Sequence, residues 1–230
     1  MRQAPLLSTF LALLVSLPAA AALPVVPAEA ATAAIGGEAG ASYLSPLESR
    51  ATVSDPGPSL YLLPIVARVA DPHAPDALAP LRAGPLLEVG SGPRALLAQH
   101  MIGRLGFAPE QMHAADPRMA DDAHSAAPAE NFRRVSAENL PEDWNGRFRH
   151  VITFFTFNPE IVDGSTPGMG RGIDVQRAAA RIAAVLESGG RLLVVTGGAN
   201  GLDESAEAAF RQRLILKGRL NESVHVFEKP

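Results

Sequence analysis

One stretch of this 230-residue chain has the composition of a ligand-binding turn: Leu87-Glu88-Val89-Gly90-Ser91-Gly92-Pro93-Arg94-Ala95. Glycines placed after an apolar run and before a helical pattern let a ligand approach the backbone without meeting a Cβ, near the positive end of a helix. The G-x-G-x-x-A spacing fits a dinucleotide fingerprint, and the lack of a following Gly-Lys-Ser/Thr excludes a triphosphate loop. Two acids add to the pattern. Glu88 stands two residues before Gly90, where a carboxylate would repel a pyrophosphate but can pair with the cationic amino group of an amino-acid moiety. Asp116 closes a second apolar run, where an acid can hydrogen-bond ribose hydroxyls of either kind of cofactor.

Other chemistries have less support. The chain has no cysteine, which removes disulfides, thiolate ligands and cysteine nucleophiles. Its six histidines show no helical metal-ligand spacing; Asp121, Asp122 and His124 read as a solvated loop, so no metal is expected. The net charge is −4, and the 20 basic residues are scattered. The densest group, Arg133, Arg134, Arg147 and Arg149, is interleaved with acids, which argues against a nucleic-acid partner.

The elements that would position Glu88 and Asp116 alternate between short apolar runs and helical patterns, as in a mainly parallel sheet with crossover helices. Strands are predicted over Pro85–Val89, Met112–Ala115, Phe132–Val135, His150–Phe157 and Arg191–Thr196. Helices are predicted over Arg94–Leu105, Ile173–Leu186 and Glu204–Arg213, with Ser188-Gly189-Gly190 as a turn closing the second. Leu214–Leu216 and Ser223–Phe227 read as a final pair of strands. Their link, Lys217 to Glu222, is too short for a parallel crossover and predicts an antiparallel hairpin.

Residues 1–30 read as a signal peptide or N-terminal anchor. Arg2 precedes an uncharged apolar run from Leu6 to Ala22, and Ala28-Glu29-Ala30 suits a signal peptidase. Export is expected, with a retained anchor, or a cytoplasmic protein whose start site is misassigned, as alternatives. The only membrane contact expected is through that segment, if it is retained. Residues 31–58, rich in Ala, Gly, Ser and Pro, read as a flexible linker. The folded domain is placed at 59–230 with its core at 85–230; Ser59 to Ala70, interrupted by Pro64, reads as a short broken helix over one edge.

Taken in order, these pieces resemble the class I (Rossmann-like) S-adenosylmethionine-dependent methyltransferase family. Glu88-Val89-Gly90-Ser91-Gly92 is similar to its first motif, E/D-x-G-x-G-x-G, and Ala115-Asp116-Pro117 to its second-strand acid. Ser136-Ala137-Glu138-Asn139-Leu140-Pro141 resembles its D-A-E-N-L-P stretch, Phe148-Arg149-His150-Val151-Ile152 its fourth-strand start, and Leu186-Glu187-Ser188-Gly189-Gly190-Arg191-Leu192-Leu193 its L-K-P-G-G-R-L-L segment. The resemblance implies a mainly parallel seven-stranded sheet ending in an antiparallel hairpin, with S-adenosylmethionine as cofactor. By the same resemblance Glu88, Gly90, Ser91 and Gly92 hold its methionine end, Asp116 its ribose, and Glu138 and Asn139 lie near the adenine. It implies methyl transfer to an unidentified acceptor, read here as a small molecule.

The chain departs from that pattern at Arg94, which stands at the close-packed third glycine, and at Ser136 and Arg149, each in place of an acid. These departures and the leader motivate an alternative, an exported methyltransferase-like module that binds without turnover. The G-x-G-x-x-A spacing keeps a nicotinamide-dependent oxidoreductase as a third reading. No catalytic residue is assigned. Phe157-Asn158-Pro159-Glu160 partly resembles the N-P-P-Y motif of amine methyltransferases and reads more simply as a turn. The glycine-rich stretch Asp163–Gly172 lies where a lid over the acceptor, touched by Arg171, or a plain connection would be.

Overall fold

The apolar runs over 86–89, 112–115 and 192–195 are buried along their whole length, as central strands of a sheet covered on both faces must be. A computed structural model describes residues 78–123, 127–166, 171–196, 201–220 and 224–230. The expected leader, linker and broken helix lie outside them, as do His124, Ser223 and the centre of the Asp163–Gly172 stretch. No helix among the described residues is long and apolar enough to cross a membrane.

The strands are β1 (Leu86–Val89), β2 (Met112–Ala115), β3 (Phe132–Arg133), β4 (Phe148–Phe154), β5 (Leu186–Val195), β6 (Ile215–Leu220) and β7 (Val224–Glu228). They stand in the order β3-β2-β1-β4-β5-β7-β6. The first five are parallel, and β7 runs antiparallel between β5 and β6. The helices are α1 (Ala79–Arg82), α2 (Leu96–Leu105), α3 (Pro159–Val162), α4 (Val175–Val185) and α5 (Glu204–Arg211).

The period of two along each strand splits the core. Leu86, Ile152 and Leu193 pack with Leu97, Ala98 and Met101 of α2 on one face. Leu87, Val151 and Leu192 pack with Ala178, Ile182 and Phe210 of α4 and α5 on the other. Asp174 and Asp203 cap the two helices of that second face, their carboxylates accepting from backbone N–H groups of the first turn.

Several boundaries move for physical reasons. The helix expected from Arg94 starts at Leu96, because Ala95 takes a left-handed conformation (φ 45°). The strand expected to run to Phe157 stops at Phe154, because Phe155 is left-handed too (φ 62°). Ser188-Gly189-Gly190 is not a turn closing α4 but part of β5. Leu186 pairs with Phe148, and Gly189 and Gly190 exchange hydrogen bonds with Lys229 across a local register shift. β3 is cut to two residues, and β6 extends to Leu220.

Three histidines, His113, His150 and His225, are buried within this frame. His113 lies edge-on to Trp144 and Phe148, and the Nε2 N–H of His150 donates to Pro80 O at 2.6 Å, fastening α1 to β4. Burial pushes the imidazoles of His113 and His150 down to about 4, so they stay neutral in the folded chain at pH 7. In the unfolded chain they bind protons from about pH 6.5 downward, so stability present above that pH is lost as the solution is acidified toward 4. The urea midpoint should therefore be lower at pH 5 than at pH 7, and His113→Phe should flatten that slope. An unchanged slope would show that these rings do not govern acid lability.

Candidate functional site

β1 ends where the connections divide, β2 and β3 lying to one side of it and β4 and β5 to the other. In open α/β sheets ligands bind in the crevice outside the strand carboxyl ends at such a switch point. The glycine turn occupies it. Gly90 N and Ser91 N both donate to Ala115 O, at 2.8 and 3.3 Å, so the turn leaves β1 leaning on the end of β2. Gly92 N donates to Asp116 Oδ2 at 2.9 Å, while Asp116 Oδ1 accepts from the backbone N–H of Arg118 at 2.8 Å and from its Nε at 3.5 Å. Above the turn there is room, since a Cβ built on Gly92 meets no atom within 4 Å.

Glu88 is the unusual member. Its side chain is 4% exposed on the face covered by α2, and its Oε2 is buried without a hydrogen-bond partner. A buried carboxyl with a free oxygen is costly unless something meets it. Loss of water pushes its pKa up to about 8; the backbone at Ala98 pulls it down and nearby Asp116 pushes it further up. That amends the sequence argument. With no ligand present, Glu88 is largely protonated at pH 7, so its charge alone does not turn away a pyrophosphate; a cation arriving there would favour the charged form.

The sheet order separates the readings instead. A classic dinucleotide-binding sheet runs 3-2-1-4-5-6 with all strands parallel. Here an antiparallel strand is inserted between the fifth and sixth. The fold is that of the class I methyltransferases.

Within this methyltransferase fold the remaining candidates are placed as follows. Glu138 is buried, its Oε1 accepting from Asp174 N at 3.2 Å and its carbonyl from Arg177 Nε at 3.0 Å. Asn139 is exposed; its Nδ2 donates to Ser136 Oγ at 3.0 Å and its Oδ1 accepts from Arg177 at 2.7 Å. Both side chains thus hold the turn over residues 136–139 against the start of α4. Ser91 is half-buried, with its hydroxyl bent back to Gly92 O at 3.4 Å.

Arg94 is not close-packed. It is exposed, and the buried place beside the turn is taken by Ala95, whose left-handed backbone swings the preceding side chain out. Arg149 is exposed and paired with Glu187 at 3.0 Å. Asp121 pairs with Arg134 at the surface, at 2.6 Å. Arg171 is exposed. Phe154 and Phe157 are buried in the two cores, whereas Phe155 is half-buried at the end of β4.

The Asp163–Gly172 stretch is pinched at its base. A Cβ on Gly164 would stand 2.6 Å from Gly172 N, and Ile173 N donates to Val162 O at 2.9 Å. Asn158, buried at the start of α3, donates through Nδ2 to Glu160 Oε1 at 3.1 Å. Sequence reasoning missed Thr156, whose hydroxyl lies 3.1 Å from Val89 O. A threonine following two phenylalanines reads as more strand and carries no local signal of that contact.

No protein-family model matches the chain, and no curated protein sequence does. Among solved structures it is similar to a TehB-like SAM-dependent methyltransferase from Corynebacterium glutamicum, at 20% identity over 72% of this chain and 87% of that one, with a TM-score of 0.46. It is similar also to the antibiotic-resistance methyltransferase Kmr, at 16% identity over 64% and 88% of the two chains, TM-score 0.44. A third is the N-methyltransferase NodS from Bradyrhizobium japonicum, at 12% identity over 64% and 86%, TM-score 0.40. The fold rests on the strand order and directions rather than on these overlays.

Proposed function

We propose that the protein is an S-adenosylmethionine-dependent methyltransferase acting on a small-molecule acceptor. The observation that carries this reading is the unpartnered, buried Oε2 of Glu88, set under a glycine turn at the switch point of this sheet. It fits the amino group of the cofactor's methionine end, a cation that satisfies the orphan oxygen and draws the proton off the acid. Gly90 and Gly92 present backbone that carries no Cβ, with Ser91 between them. Asp116 fixes Gly92 and keeps lone pairs on the same oxygens for ribose hydroxyls. Glu138 and Asn139 act by holding the turn that borders the adenine.

When bound there, the cofactor supplies a methyl group on a sulfonium, which passes to a nucleophile by direct displacement. The chain's part is to position the acceptor and strip its water, with Phe155 and the pinched Asp163–Gly172 stretch on the side where it would enter. The sheet order disfavours a nicotinamide cofactor. A module that binds without turnover shares this site and differs only in the absence of product.

Calorimetric titration of the full chain should show micromolar binding of S-adenosylmethionine and S-adenosylhomocysteine and none of NADH. Because Glu88 must lose its proton to meet the ammonium group, affinity should rise between pH 6 and pH 7.5, approaching tenfold per unit, with protons released to the buffer. NADH binding alone would overturn the reading. A pH-independent affinity would remove Glu88 from it.

A further inference from the structure

We propose that Thr156 is a positioning residue for the glycine turn, delivered there by the left-handed backbone of Phe155; this rests on reading the turn as the cofactor site. The chain leaves β4 in an uncommon way. Phe155 N makes a last rung to Val195 O at 2.7 Å, and the residue then adopts φ +62°, a conformation that a bulky L side chain avoids. Such a geometry persists only where surrounding contacts enforce it. Here the ring of Phe155 packs on the α2 face of the core, edge-on to Phe154.

What the kink achieves is visible one residue on. Thr156 Oγ1 lies 3.1 Å from Val89 O, the last carbonyl of β1, and 3.5 Å from Phe154 O. A hydroxyl has one hydrogen, and the shorter, cross-strand contact takes it. The same oxygen lies against Gly90, in the space a Cβ there would occupy. β4 therefore does not simply end beside β1. It folds back over it and clips the first residue of the turn.

The turn is in this way gripped from two sides. From β2 it is held by the bonds to Ala115 O and to Asp116 Oδ2. From β4 it is held by Thr156. A turn held on one side only would sample positions in which Gly90, Ser91 and Gly92 no longer line up under the ligand, and that loss of preorganisation lowers affinity without removing a ligand contact.

The test compares wild type with Thr156→Val, which keeps the shape and loses the donor, and Thr156→Ser, which keeps the donor. In the ligand-free full chain, amide exchange at Gly90 and Ser91 should quicken at least tenfold in the valine variant. Val151 and Ile152 in mid-β4 should be unchanged, and serine should restore the wild-type rate. The dissociation constant for S-adenosylhomocysteine should rise about tenfold in the valine variant and return in the serine one. Unchanged exchange at Gly90 and Ser91, or loss spread equally over β4, would overturn the assignment. If wild type bound no S-adenosylhomocysteine, the cofactor reading would fall while the exchange data still decided the role of Thr156.

Discussion

Glu88→Gln is expected to make the ligand-free protein more stable and at the same time to abolish its affinity for S-adenosylmethionine. The acid is buried, and its pKa stands at about 8 against an ordinary 4.5. Between those values the unfolded chain has released a proton that the folded chain keeps. Stability that is fully present below pH 4.5 is therefore lost progressively as the pH rises to 8. At pH 7 the loss is on the order of 3 kcal/mol, at about 1.4 kcal/mol per unit. An amide of the same shape carries no such cost.

The gain of the glutamine variant should thus be near zero at pH 4, grow through neutrality and level off above pH 8. Urea denaturation across that range checks it. A gain independent of pH would mean that packing, not the proton, sets the difference. On the proposed cofactor reading the same substitution removes the carboxylate that would meet the ligand's ammonium group, so calorimetry should show binding lost. Such opposition of stability and function is expected where a site is built around an unsatisfied group. His113 and His150 pull the other way below pH 6.5, so removing the Glu88 contribution should move the pH of maximum stability upward.

Gly90→Ala should be the most damaging single-methyl change in the site. Gly90 sits at φ +76°, where alanine is strained by about 1–2 kcal/mol, and its new Cβ would overlap Thr156 Oγ1 and stand 3.1 Å from Thr156 Cβ. Relief requires Thr156 to swing away, which forfeits its bond to Val89 O, a further loss of about 1 kcal/mol. Together these cost on the order of 3 kcal/mol, a large share of the stability of a domain this size. Because the two residues share one space, their effects should not add. In the Gly90→Ala background, Thr156→Ala should cost close to nothing further, since the bond it removes has already been forfeited. Strict additivity in thermal or urea unfolding would show that the overlap is absorbed elsewhere.

The legible parts of this molecule were those whose cause is local. Short apolar runs marked the strands, and the short interval between the last two implied the antiparallel hairpin. Glu88 and the turn after it stood out for the same reason, since their composition and spacing are those of a ligand-binding turn. Most of the misreadings come from contacts made at a distance. Ser188-Gly189-Gly190 has the composition of a turn, but Phe148 on one side and Lys229 on the other draw it into β5. Arg94 aligned with a close-packed glycine, yet a left-handed Ala95 moves it into solvent. Thr156 and Phe155 read as two more residues of a central strand; what distinguishes them is a carbonyl 67 positions away in the chain.

The two borders of the sheet have a consequence for how copies of the molecule meet one another. An open border exposes unpaired peptide groups on which another chain can continue the ladder. At one border β3 offers only two residues, too few to template an addition. At the other, β6 is interrupted by a register shift between Leu216 and Gly218 and carries the cations Lys217 and Arg219. An incoming strand would have to follow a bent edge flanked by two ion pairs, Lys217 with Glu228 and Arg219 with Glu207. Among the described residues both borders of the sheet thereby resist extension of the ladder, so that crowding can bring these molecules together without zipping them into fibres.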